Sequence, residues 1–141
     1  MAIDTAVNEG IAEVIINSPP VNALDSAGWA AFAAAVTSMG QREDIRCVVI
    51  RAEGRGFQAG VDIKELAEDG SKIVAVNRGC YDTFAAIYDC PVPVISAVNG
   101  YCIGGGIGIS GASDIVIAAD DATFSLPEID RGALGAATHL M

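Results

Sequence analysis

Apolar positions fall into two rhythms along this chain: short runs of strand length, and longer stretches in which they recur every three or four residues. Ala2 to Val7 and Ile11 to Ile16 read as two short strands joined by Asn8-Glu9-Gly10, a set of residues suited to a tight turn. Ser18-Pro19-Pro20 stops the second strand, because proline cannot donate to a ladder. Asp25 or Ser26 then caps a helix whose apolar face is Trp29, Phe32, Val36 and Met39, with Gly40 as its stop. Arg46 to Arg51 is a continuous apolar core with charged ends, the pattern of a strand covered on both faces.

Ser71 to Tyr88 has helical spacing, with Val74, Cys80, Phe84 and Ile87 or Tyr88 on one side and Gly79 as a weak point. Pro91 and Pro93 end it, forcing Cys90 and Val92 out of the helical region. A strand Val94 to Val98, a second apolar strand Asp114 to Ala119 and an extended piece Ala122 to Leu126 follow, and Ala133 to Met141 begins a helix of small residues. Repeated strand, strand, helix units predict an α/β architecture, and the sequence closes inside an element. The expectation is one domain over residues 1–141, incomplete at its C-terminal end relative to a larger fold.

Composition narrows the class. At 141 residues with 52% hydrophobic content, the chain can bury a real core, and its apolar runs are far shorter than the roughly 18 residues of a membrane span. No basic patch followed by an apolar segment opens the chain, so the cytoplasm is the expected compartment and no membrane partner is expected. A net charge of −10 argues against nucleic acid, whose phosphates require clustered cations. It leaves room for a small anionic ligand held by backbone amides. Cys47, Cys80, Cys90 and Cys102 lack metal-type spacing and are expected as small buried residues in a reducing compartment, with no metal site. His139, the sole histidine, has no nucleophile and orienting acid in a recognisable motif and is read as structural.

Two glycine loops remain, each following an apolar strand: Gly54-Arg55-Gly56-Phe57-Gln58-Ala59-Gly60, and Gly104-Gly105-Gly106 with Gly108 and Gly111. Glycines there cost stability, which suggests that the backbone N–H groups are used. One reading is a dinucleotide fingerprint, since Gly106 to Gly111 matches G-x-G-x-x-G, but five residues separate Val98 from Gly104, where such a strand would run almost directly into its first glycine, and the following helix is short for a crossover. A second is tight packing alone, which accounts for one or two glycines. The third uses both loops: two strand-to-helix junctions aim two N–H groups at one carbonyl oxygen and stabilise its developing negative charge. Asp62, just past the first loop, reads either as a helix cap or as a site carboxylate.

Ala59-Gly60-Val61-Asp62-Ile63-Lys64-Glu65, Ala97-Val98-Asn99-Gly100-Tyr101-Cys102-Ile103-Gly104-Gly105-Gly106 and Phe124-Ser125-Leu126-Pro127-Glu128 together resemble the enoyl-CoA hydratase/isomerase (crotonase) superfamily. Pro19 to Leu24 and Ser113-Asp114-Ile115 add to the match. The resemblance spans the chain and implies the N-terminal core of a spiral of repeated ββα units, an acyl-CoA thioester substrate with no separate cofactor, and a trimer or dimer of trimers. It implies Val61 and Gly105 as oxyanion-hole donors. Asn22, Ala23, Arg55, Ala59, Gly60, Ile63 and Gly104 would contact substrate, with Asn22 and Ala23 along the CoA moiety and Arg55 near a phosphate.

One departure bears on the chemistry. Hydratases of the family use two glutamates; Glu128 fills the second position, but Gly108 stands at the first. A lone base suits isomerisation, or hydrolytic cleavage of a carbon–carbon bond whose carbanion leaves as a thioester enolate. Gly108 is further expected to open room for a bulky alicyclic acyl group. Arg51 to Phe57, Asn77 to Cys80, Gly105 to Gly108 and Arg131 to Leu140 are similar to actinobacterial CoA-thioester ring-opening hydrolases of steroid ring C/D breakdown. That similarity implies Glu128 as the water-activating base and Asp62 as an assisting residue, by proton transfer or by orientation. A hydratase or isomerase of β-oxidation, and a non-catalytic CoA-binding paralogue, are the other readings.

Overall fold

Ile3–Asn8 (β1) and Ile11–Ile16 (β2) form an antiparallel hairpin, one residue displaced from the predicted first strand. Glu9 and Gly10 both take positive φ, 48° and 85°, the conformation that lets a two-residue turn match strand twist. The computed structural model describes residues 2–131 and Gly135; the helix predicted over 133–141, His139 included, otherwise lies outside the described residues.

From β2 the chain passes through Ser26–Gly40 (α1) to Cys47–Ala52 (β3), which pairs parallel with β2. Ile63–Glu68 (α2), a 3₁₀ turn at Gly70–Lys72 and Ile73–Tyr88 (α3) then lead to Val94–Val98 (β4), parallel to β3. Tyr101–Ile103 (β5) and Gly105–Ala112 (α4) precede Ile115–Ala118 (β6), which adds in parallel to β4. The sheet order is β1-β2-β3-β4-β6, and β5 forms a separate parallel pair with Thr123–Ser125 (β7). This is the predicted α/β progression of strand, strand and helix.

Asp25 caps α1, its Oδ1 accepting the Gly28 N–H at 2.7 Å. Trp29, Phe32 and Val36 are fully buried against Val14, Ile16, Val48 and Ile50, so α1 lays the expected face on the sheet. Four expectations are corrected. Gly40 is the last helical residue rather than the stop, and a Cβ there would press on the Cys90 sulfur at 2.5 Å, which accounts for glycine at that position. In α3, Val74 faces solvent and Val76 takes the buried position, while of the two alternatives Ile87 is buried and Tyr88 exposed. β3 alternates: Val48 and Ile50 are buried while Val49 and Arg51 are half-buried, so only one face is covered among the described residues. Of the cysteines, Cys80 and Cys102 are buried and Cys47 and Cys90 only half-buried. No helix among the described residues is long and apolar enough to cross a membrane.

Gly79 is a contact rather than a weak point. A Cβ on it would lie 2.7 Å from the Trp29 Cβ, so α3 crosses α1 at a point where position 79 has no room for a side chain. Thr83 Oγ1 donates to the Trp29 carbonyl at 3.1 Å, and Phe84 meets the indole edge-on at 6.0 Å between centroids. Gly79→Ala sets a gain in helix propensity of about 1 kcal/mol against overpacking of about 1–3 kcal/mol. The obstructing atom is a Cβ held next to backbone and cannot swing away, so overpacking wins. Denaturant unfolding of G79A is expected to show a lower midpoint at unchanged slope; a stabilised variant would contradict the contact.

Candidate active site

Asn22 begins the site. It sits in the left-handed region at φ 58°, is 4% exposed, and uses its whole amide on backbone. Nδ2 donates to the carbonyls of Glu53 at 2.7 Å and Gly56 at 2.9 Å, and Oδ1 accepts the Ser18 N–H at 2.8 Å. This side chain is turned inward and fastens the loop that leaves β3, so it is not free to reach a CoA chain. Ala23, beside it, is half-buried, and its carbonyl accepts the Ser18 hydroxyl at 3.0 Å.

The loop from β3 is next joined to the one from β4. Phe57 and Gln58 both donate N–H to the Tyr101 carbonyl, at 2.9 and 3.3 Å, and Ile103 donates to the Gln58 carbonyl at 2.8 Å. The Gln58 side chain, wholly buried, folds back on Gly60: Oε1 accepts the Gly60 N–H and Nε2 donates to the Gly60 carbonyl, both at 2.7 Å. Gly60 adopts φ 89°, which a residue with a Cβ would resist, and its missing Cβ would stand 3.7 Å from the Gly105 nitrogen. The two glycine loops are thus side by side.

Val61 bridges Leu24 in parallel: Leu24 N–H donates to Gly60 O at 3.1 Å and Asp62 N–H to Leu24 O at 2.8 Å. The N–H of the central residue in such a bridge points away from its partner strand. Gly104 has φ 55° and ψ −110°, and Gly105 opens α4, where an N–H has no acceptor within the helix. Neither the Val61 nor the Gly105 N–H has an acceptor among the described residues. Both residues line one cavity of about 520 Å³. The Trp29 ring lies beneath Gly105, 2.6 Å from where a Cβ would be.

Glu128, in the 3₁₀ turn Pro127–Arg131, lines the same cavity and is its one carboxylate among the described residues. Its Oε1 comes within 3.3 Å of the position a Gly104 Cβ would occupy, so the second glycine loop and the carboxylate are in direct contact. The remaining wall is apolar, with Val76 and Phe84 buried, Leu66 half-buried, and Ile63 and Ile73 exposed at its margin. Cys80 also faces in; burial pushes its thiol up to about 12, so near neutral pH it stays protonated and serves as wall rather than nucleophile. A larger open groove of about 760 Å³ between the ends of α1 and α3 contains none of the predicted site residues.

Ala59, Gly60, Val61, Ile63, Gly104, Gly105 and Glu128 are therefore brought together. Others are not. Asp62 is the N-cap of α2, its carboxylate accepting the Lys64 N–H at 2.9 Å, and it is absent from the cavity wall. Arg55 is exposed on the loop and has no ion-pair partner among the described residues. Gly108 is buried with the Phe84 ring filling the space its side chain would take, which corrects the expectation that it opens room for an acyl group. Phe84 presents the surface there instead. The Gln58 clamp went unread in the sequence; its one signal is a long amide among the small residues of a glycine loop.

The description "Enoyl-CoA hydratase/isomerase" belongs to the family whose profile matches residues 6–140. Over 138 residues the chain is 56% identical to a (7aS)-7a-methyl-1,5-dioxo-2,3,5,6,7,7a-hexahydro-1H-indene-carboxyl-CoA hydrolase of Mycobacterium tuberculosis, covering 96% of this chain and 56% of that protein. It is 58% identical to the protein of the same name in Rhodococcus jostii, covering 96% of this chain and 54% of that one. The chain thus spans about half the length of the curated relatives it matches. A crystal structure of an enoyl-CoA hydratase/carnithine racemase from Magnetospirillum magneticum superposes with a TM-score of 0.88 at 28% identity, over 96% of this chain and 53% of that one. With its strand order, its paired glycine loops and this match over nearly its whole length, the chain belongs to the enoyl-CoA hydratase/isomerase family.

Proposed function

We propose that the protein hydrolyses a carbon–carbon bond in the ring of an alicyclic β-diketone CoA thioester. The observation that carries this reading is a cavity that, among the described residues, is lined by two residues whose backbone N–H groups are unpartnered, Val61 and Gly105, and by a single carboxylate, Glu128. The 56% and 58% identical relatives, named as hydrolases of a dioxo-hexahydroindene-carboxyl-CoA, support a bicyclic diketone CoA thioester as the substrate class.

Glu128 takes a proton from water as the water oxygen bonds to the ring ketone. Collapse of that adduct breaks the bond between the ketone carbon and the thioester α-carbon. The electron pair moves onto the thioester oxygen as an enolate, held by the Val61 and Gly105 N–H groups and the N-terminal dipole of α4. The α-carbon then takes the proton back from Glu128, and the carboxylic acid formed where the ketone was releases its own proton to solvent and stands as a carboxylate. One water is consumed and the ring is open. Asp62, half-buried beside the first loop, orients that loop through its cap on α2 rather than exchanging a proton itself.

In this reading Arg55, exposed and without an ion-pair partner among the described residues, meets a CoA phosphate. The reading also includes a cytoplasmic protein assembled as a trimer or pair of trimers. Supporting an assembly, Ile115, Val116 and Ile117 on β6 remain 45–61% exposed, an apolar row for further chain or another copy to cover.

Mass spectrometry of products from the full-length protein tests the reaction. A mass gain of one water, with an opened ring and a new carboxylate, is expected from an alicyclic β-diketone CoA. Hydration of an enoyl-CoA, or migration of the double bond in a β,γ-enoyl-CoA, would shift the assignment to the hydratase or isomerase reading. Turnover of none of the three would favour a CoA-binding paralogue. Glu128→Gln keeps the shape and removes the base, so kcat is expected to fall by about 10²–10⁴-fold. Near-normal turnover by E128Q would remove Glu128 from its role.

A further inference from the structure

The Gln58 side chain makes both of its hydrogen bonds to the one residue that precedes a proposed thioester donor. We infer that Gln58 is a positioning residue: by gripping Gly60 it aims the Val61 N–H at the thioester oxygen. The inference rests on the proposed role of the Val61 and Gly105 N–H groups.

The argument runs through peptide geometry. The Gly60 carbonyl and the Val61 N–H belong to one planar trans peptide unit, so the direction of the oxygen fixes the direction of the N–H. Gln58 Nε2 holds that oxygen at 2.7 Å and Leu24 N–H holds it at 3.1 Å from the other side. Oε1 meanwhile holds the Gly60 N–H at 2.7 Å, which restrains the rotation on the near side of the Gly60 Cα. Gly60, at φ 89°, has no side chain of its own to limit either rotation. Two donors on the carbonyl also polarise the peptide, which strengthens its N–H as a donor.

A solubility or surface role is excluded by zero exposure. The backbone bonds of Gln58 to Tyr101 and Ile103 already join the loops, so the side chain is not needed for that junction. What it adds is the orientation of one peptide.

Infrared difference spectra of bound cyclohexanecarboxyl-CoA, ¹³C-labelled at the thioester carbonyl, read the hydrogen bonding of that oxygen directly. This probe has no ring ketone and no double bond, so the readout is independent of turnover. The wild-type full-length protein is expected to move the carbonyl band to lower frequency. Gln58→Met fills the space without polar atoms, and Gln58→Asn keeps an amide one methylene short of Gly60. Both are expected to lose about half of the shift while binding the probe less than about tenfold more weakly, one neutral hydrogen bond being at stake. On the substrate that the protein turns over, kcat is expected to fall about 10- to 100-fold with KM little changed. An undiminished band shift in either folded variant overturns the role of Gln58. Absence of a shift in the wild type overturns the two-donor site itself, and so separates the two failures.

Discussion

One carbonyl, that of Tyr101, holds the two halves of the site together. Phe57 and Gln58 both donate to it, and the return bond from Ile103 to the Gln58 carbonyl turns the contact into a short ladder. Through it, the loop leaving β3 runs alongside β5, and the strands that launch the two loops are themselves parallel neighbours in the sheet. Sheet register therefore sets loop register. The Val61 and Gly105 nitrogens lie on one cavity because β3 and β4 pair as Val48 with Val94, not because either loop is rigid alone.

Most of the buried polar side chains serve the same end. Asn22 satisfies three backbone groups, Gln58 two, and Thr83 fixes α3 on α1 through the Trp29 carbonyl. A buried amide left unpaired costs roughly 1–3 kcal/mol, so these residues are tolerable only when fully engaged. Trp29 is the exception, its Nε1 buried without an acceptor among the described residues. The indole is retained for its shape: one edge bears on Phe84 and another lies under Gly105, so the same ring supports the wall of the cavity and the start of α4.

Much of this was legible in sequence, for reasons that differ by element. β2 and β4 match their predicted spans residue for residue, since each is an apolar run with turn or proline punctuation at its ends. The amphipathic face of α1 was equally plain. In α3 Val74 was read onto the apolar side, but it lies six residues before Cys80, about 120° round the helix, while Val76, Cys80, Phe84 and Ile87 at i, i+4, i+8 and i+11 form the buried row. The coverage of β3 and β6 could not be read, since a continuous apolar strand does not say which of its faces another segment reaches. The loop glycines were recognisable as backbone-approach positions, but a clamp such as Gln58 on Gly60 depends on a side chain folding back over two residues, which no periodicity encodes.

The absence of a side chain at position 108 has a different meaning once the ring of Phe84 is placed there. Trp29 and Phe84 stack edge to face across α1 and α3, and the backbone of α4 closes on them, with Gly105 over the indole and Gly108 over the phenyl ring. A carboxylate at position 108 would have to displace a buried ring that makes up part of the apolar wall, so the fold and the chemistry are constrained together. Aromatic packing fills the space, and the cavity keeps one carboxylate among its described residues. Syn addition of water across a double bond draws on an acid and a base at once. Addition of water to a ketone, followed by departure of a stabilised enolate, needs one group that gives back the proton it took. The packing of two rings against two glycines thus favours the second class of reaction before any substrate is considered.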